Sequence, residues 1–173
     1  MRFIFDTSVL IDYLRDDRPG DQEVAADAFA LASQQGHTFL TLVSLMELYS
    51  PILQETSTDG VEEEESLMTR TRGKEAIERD LSRVKKLLET YGIRLIHCSR
   101  RAQEVALDIL RDHRSPLGKN ALTDSLIIAN GLVRRAYLVT RDRKWSQVAR
   151  GLQQRKPCAL RVVSPVDLIQ GRL

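Results

Sequence analysis

The chain is poor in several features that mark whole classes of protein. It has only two cysteines, Cys98 and Cys158, each in or beside an apolar run, which excludes a disulfide framework and a cysteine-based metal site. No apolar run approaches the roughly 18 residues needed to span a bilayer, and the mean hydropathy is −0.28, so a membrane-spanning role is excluded. The opening Met1-Arg2-Phe3-Ile4-Phe5-Asp6 turns acidic too soon for the apolar core of a signal peptide, and the expected location is the cytoplasm. His37, His97 and His113 have neither ligand spacing nor a neighbouring nucleophile. No internal repeat is present.

What is there fits one globular domain spanning residues 1–173. With 173 residues, 42% of them hydrophobic, the chain is long enough to close a single core and short for two. The net charge of +2 conceals an asymmetry: from Arg134 onward ten Lys and Arg stand against Asp142 and Asp167, a net +8 that leaves −6 for the first 133 residues. A basic third suits a polyanionic partner, although a run of charge also serves as an ordinary solvated face.

Short bulky segments at 2–5, 38–43, 93–96 and 137–140 read as strands, with a fifth at 160–163. Helical spacing fills the intervals: a helix from about Val9 capped by Asp6-Thr7-Ser8, then 22–35, a third opened by Ser44 and Glu47 at capping-box spacing, then 74–90 and 100–111. A helix over 122–133 is apolar on most of its circumference and is expected to be the most buried. Ser115-Pro116-Leu117-Gly118 reads as a loop. Between Gln54 and Gly73 the periodicity dissolves around Glu62-Glu63-Glu64-Glu65, which predicts an acidic insertion over 55–73, either a mobile loop or an acidic helix packed only at its edge. Strands alternating with helices predict an α/β fold whose central parallel sheet of four or five strands is covered on both faces.

In such a sheet the functional crevice lies outside the carboxyl ends of the strands. Asp6 directly follows the first strand, Glu47 lies just after the second, Asp142 follows the fourth, and Asp124 stands at the start of the apolar helix. Four carboxylates on one rim would raise one another's pKa unless a cation neutralised them. Mg²⁺ suits such a group, because it takes oxygen ligands and completes its shell with water and substrate phosphate. Each acid alone also reads as a helix-terminal or turn residue; their common placement is what points to chemistry.

Four ordered motifs carry a resemblance: Phe5-Asp6-Thr7-Ser8-Val9-Leu10-Ile11-Asp12, Ser44-Leu45-Met46-Glu47-Leu48, Thr123-Asp124-Ser125-Leu126-Ile127-Ile128-Ala129 and Leu138-Val139-Thr140-Arg141-Asp142. In order and spacing they resemble the motifs of PIN-domain ribonucleases, most closely the VapC-type toxins of toxin–antitoxin pairs. The resemblance implies a Mg²⁺- or Mn²⁺-dependent endoribonuclease with Asp6, Glu47, Asp124 and Asp142 as metal-holding catalytic residues. It further implies Thr7 and Thr140 as supporting hydroxyls, a tRNA or rRNA substrate, a cognate antitoxin and a homodimer. Arg141, Arg143 and Lys144 beside the last acid are candidate RNA-phosphate contacts. The alternative is a catalytically inactive PIN-like module that binds RNA or acts as a scaffold. Where the family often carries a further acid near an aromatic, this chain has Arg143-Lys144-Trp145.

Overall fold

The computed structural model describes residues 1–55, 63–155 and 160–173. Its strands are β1 (Arg2–Phe5), β2 (His37–Thr41), β3 (Arg94–Ile96), β4 (Tyr137–Val139) and β5 (Arg161–Val163). Its helices are α1 (Thr7–Leu14), α2 (Pro19–Gln35), α3 (Leu42–Glu55), α4 (Glu63–Tyr91), α5 (Arg100–Leu117), α6 (Ala121–Arg134), α7 (Arg143–Arg155) and α8 (Pro165–Ile169). The five strands form one parallel sheet in the order β3-β2-β1-β4-β5, so the first strand is the central one.

Because successive strand residues point to opposite faces, β1 divides its side chains between two cores. Phe3 and Phe5 join Val9, Leu10, Phe29, Leu87 and Leu168 beneath α1, α2, α4 and α8, while Ile4 joins Ile109, Ile127, Leu138 and Trp145 beneath α5, α6 and α7. Burial on both faces explains why the strands read as continuous apolar runs. Ser125, Ile127, Ile128 and Ala129 of α6 are all buried, as the apolar circumference of that helix predicts. Gly131 lets α6 lie against β4: a Cβ there would stand 2.5 Å from Leu138 Cδ2.

Two local expectations need correction. The capping box at Ser44 and Glu47 does not form; α3 starts at Leu42, and Thr41 Oγ1 caps it by accepting the Ser44 N–H at 3.0 Å. The segment 115–118 is not a loop up to Gly118, because α5 continues to Leu117 through a kink at His113 (φ −131°, ψ 18°). Pro116 is tolerated there because the kink begins a new turn, in whose first residues an N–H has no helical partner to lose. Of the acidic insertion expected over 55–73, the backbone from Glu63 onward is helical and continuous with α4. Residues 56–62 of that segment lie outside the described residues.

Candidate active site

At the carboxyl edge of the sheet β1, β2 and β4 each pass into a helix across no more than three residues, which brings Asp6, Glu47 and Asp142 to that edge. β1 ends at Phe5 and α1 begins at Thr7, leaving Asp6 as the joint and the N-cap. Its backbone N–H is tied to Val139 O of β4 at 3.0 Å, which fixes the carboxyl beside the end of the neighbouring strand. Asp6 Oδ1 accepts the Thr7 N–H at 2.7 Å, and Oδ2 accepts the hydroxyls of Ser8 at 2.7 Å and Thr140 at 2.8 Å. Burial pushes the Asp6 carboxyl above its ordinary pKa, with the Glu47 charge adding to the rise, while the Ser8, Thr140 and Thr7 donors pull it back.

Glu47 reaches the same place from α3, which follows β2 directly. Its Oε2 accepts the Thr7 hydroxyl at 2.7 Å, and its Oε1 lies 3.2 Å from Thr123 Oγ1 at the start of α6. Glu47 therefore bridges α1 and α6 rather than capping its own helix. Asp124, one residue after Thr123 and only 7% exposed, is pushed up to about 7. Burial is the main cause, followed by the charges of Asp6, Glu47 and Asp142. The buried Trp145 indole N–H draws that pKa back somewhat, although no acceptor meets it at full hydrogen-bond geometry. Asp6, Glu47 and Asp142 thus all act electrostatically on Asp124.

Asp142 occupies the turn between β4 and α7. Its N–H donates to Thr140 Oγ1 at 3.0 Å, and its Oδ1 caps α7 by accepting the Lys144 N–H at 2.9 Å. Arg141 turns the other way: its Nη1 lies 2.7 Å from Asp12 Oδ2 and 3.2 Å from Asp21 Oδ2, and the Asp12 hydrogen bond holds its pKa up. Two carboxylates therefore already compensate the guanidinium of Arg141, one of the three candidate phosphate contacts. Arg143 and Lys144 stand exposed in the first turn of α7. A cavity of about 650 Å³ opens beside the acid group rather than over it; Thr140, Asp142 and Arg143 line it with Asp12 and Asp21, whereas Asp6, Glu47 and Asp124 do not.

Ser8 and Thr123 hold carboxylates, yet as single hydroxyls inside apolar motifs they carry no signal of that role. Asp12, the last residue of the first motif, is buried, and its partner Arg141 is remote in the chain. Among the described residues no three Asp, Glu, His or Cys side chains stand close enough to form a ready cage for a metal ion. The donor chemistry nevertheless suits a hard divalent cation: every candidate ligand is a carboxylate oxygen, and the nearby Arg141 is turned away to Asp12 and Asp21.

The PIN domain family matches residues 3–151. The solved structures similar to this chain include VapBC from Salmonella typhimurium bound to DNA, at 17% identity and a TM-score of 0.60, covering 95% of this chain and 98% of that one. VapBC2 from Rickettsia felis bound to a promoter fragment aligns at 13% identity and a TM-score of 0.58, over 95% and 98%. VapBC-1 from nontypeable Haemophilus influenzae aligns at 16% and 0.57, over 96% and 99%. At these identities the likeness concerns the fold. No curated protein sequence matches the chain. The family match over most of the chain, together with the five-stranded parallel sheet, shows that this protein belongs to the PIN domain family.

Proposed function

We propose that the protein is a divalent-metal-dependent endoribonuclease, the toxin of a VapBC-type pair, acting on RNA at the group formed by Asp6, Glu47, Asp124 and Asp142. The observation that carries this reading is Asp124: burial and three other acids raise its carboxyl to about 7, so that ionisation there carries a cost that a bound divalent cation would offset. The four carboxylates would hold Mg²⁺ or Mn²⁺, which when bound polarises a phosphodiester and lowers the pKa of water.

The chain's own residues supply positioning. Thr7 fixes one oxygen of Glu47, while Thr123, whose hydroxyl donates to Asn120 O at 2.9 Å, lies 3.2 Å from the other, and Ser8 and Thr140 fix one oxygen of Asp6, so both carboxylates are oriented before charge arrives. Arg143 and Lys144, exposed beside Asp142, attract the flanking phosphates with sequence-independent, salt-sensitive affinity. A tRNA or ribosomal RNA is the proposed natural substrate.

The similar structures are VapBC complexes, some on DNA, which supports a small antitoxin as partner and a cytoplasmic role. Exposed Leu42, Met46 and Leu122 on α3 and at the start of α6 offer apolar area for that partner or for a second copy in a homodimer. An inactive RNA-binding or scaffold module is favoured only by the absence of a ready metal cage among the described residues. Incubating the purified chain with single-stranded and looped RNA, with Mn²⁺ or with EDTA, separates the two: metal-dependent cuts lost in Asp6→Asn support the nuclease, and binding without cuts supports the module.

A further inference from the structure

On the face of the sheet covered by α5 and α6, the side chains change character at the amino edge. Ile4, Phe39 and Ile96 lie in the apolar core of that face. Two residues earlier on each strand, pointing to the same face, stand Arg2, His37 and Arg94. The register makes them neighbours, since Arg2 pairs with His37 and Phe39 with Arg94. Arg134, in the last turn of α6, closes the group with its guanidinium 5.8 Å from the Phe39 ring centroid, and its carbonyl accepts Arg2 Nη1 at 2.9 Å.

These residues, with Ser99 and Val133, line a cavity of about 550 Å³ that has no acid in its wall among the described residues. Arg94 is exposed, and its side chain has no ion pair or hydrogen bond among the described residues, while Arg2 and Arg134 are oriented by a carbonyl at the end of α6 and by the Phe39 ring, neither of them an acid. Three guanidiniums around one recess repel unless an anion enters, and their forked donors match phosphate oxygens. Ser99 caps the start of α5, so the positive end of that helix, regular as far as the kink at His113, adjoins the same recess.

We propose that this recess binds a backbone phosphate of RNA, as a second contact separate from the acid group. An acidic peptide is the less suited occupant: Phe39 is only 8% exposed beneath Arg134, so no apolar socket remains for a peptide side chain. Exposed Arg101 and Arg135, close in sequence to the lining residues Ser99 and Arg134, extend the charge in the way a regularly charged strand requires. Helix α6 carries Asp124 in its first turn and Arg134 in its last, so the two sites lie about 15 Å apart along one helix. A longer RNA reaches both, and a very short one reaches only the acids. Naming RNA as the occupant rests on the function proposed above; the anion site itself does not.

The test is fluorescence anisotropy of a labelled single-stranded RNA of about twelve nucleotides, in EDTA so that binding is read without cleavage. Arg94→Glu is expected to weaken binding about five-fold at low salt, and Arg94→Ala about two-fold, lowering the slope of log affinity against log salt by about 0.7. Lys86→Glu, an equal charge change at an exposed residue of α4, is expected to have less than half the effect of Arg94→Glu. Inorganic phosphate at constant ionic strength is expected to raise the Tm of the parent and not of Arg94→Glu. Unchanged affinity in both Arg94 variants, or equal weakening by Lys86→Glu, would overturn the site. Competition by polyglutamate equal to that by RNA at matched charge would overturn the phosphate assignment, and phosphate protection without any Arg94 effect on RNA would overturn the RNA assignment. A parent that binds through Arg94 but cuts no RNA defeats the proposed function and leaves this site standing; one that cuts while the Arg94 variants bind normally does the reverse.

Discussion

Thr140 and Asp6 lie 134 residues apart in the chain, yet the threonine hydroxyl donates to Asp6 Oδ2 at 2.8 Å with both residues buried. The same hydroxyl accepts the Asp142 N–H at 3.0 Å, so one oxygen joins two of the four acids. Thr140→Val keeps the volume but leaves a buried carboxylate and an N–H short of a partner. It is expected to lower stability by about 1–3 kcal/mol and cleavage by about 10–100-fold. Thr140→Ser is expected to stay near the parent in both, as chemical denaturation and an RNA cleavage assay will show.

Asp124 makes stability depend on pH in a definite direction. Its carboxyl titrates near 7 in the folded chain against 3.8 ordinarily, so between those values the folded state holds a proton that the unfolded chain has lost. Stability without metal therefore falls as pH rises from about 4 through 7, and the penalty is complete above 7. Asp124→Asn removes the penalty: it is expected to match the parent near pH 4 and to exceed it above pH 7 by about 1–2 kcal/mol, a figure discounted for residual solvent screening. Thermal melts across that range in EDTA check the sign.

Arg141 ties the β4–α7 turn to α1 through buried Asp12 and to α2 through Asp21. Arg141→Ala leaves Asp12 without its partner and is expected to cost about 1–2 kcal/mol. Adding Asp12→Asn should recover part of the loss, and a double-mutant cycle by denaturation measures the coupling. If Arg141 instead serves RNA, Arg141→Ala will weaken RNA binding while leaving stability intact.

Gly131 sits where α6, which carries Asp124, approaches β4 most closely. Gly131→Ala gains helix propensity of up to about 1 kcal/mol, but its methyl meets the buried Leu138 side chain at 2.5 Å. A net destabilisation of about 1–3 kcal/mol is expected from this overpacking, read as a fall in Tm.

The sheet is legible because its strands are short and carry bulky apolar residues between helical stretches, and the candidate acids stand out because Asp6 directly follows β1 while Asp142 comes three residues after β4. Helix α7 is also written in the chain, with Trp145, Val148, Ala149 and Leu152 at helical spacing, but its Arg and Lys residues overshadow that stripe. The kinked end of α5 is less legible, since Pro116 ordinarily signals a break and only the backbone at His113 shows why it is allowed. Glu47 stands three residues after Ser44, a cap by local rules; the competing hydroxyls of Thr7 and Thr123 come from other segments and win. The Asp12–Arg141–Asp21 cluster is invisible for the same reason, because its members meet only when β1 and β4 pair.

The most direct test of the central claim is cleavage of a defined RNA by the purified parent, Asp6→Asn and Asp124→Asn, each with Mn²⁺ and with EDTA. Cuts by the parent that require the metal, and that fall by at least two orders of magnitude in both variants, are the predicted result. Cuts of equal rate in EDTA, or undiminished in either variant, would contradict the account.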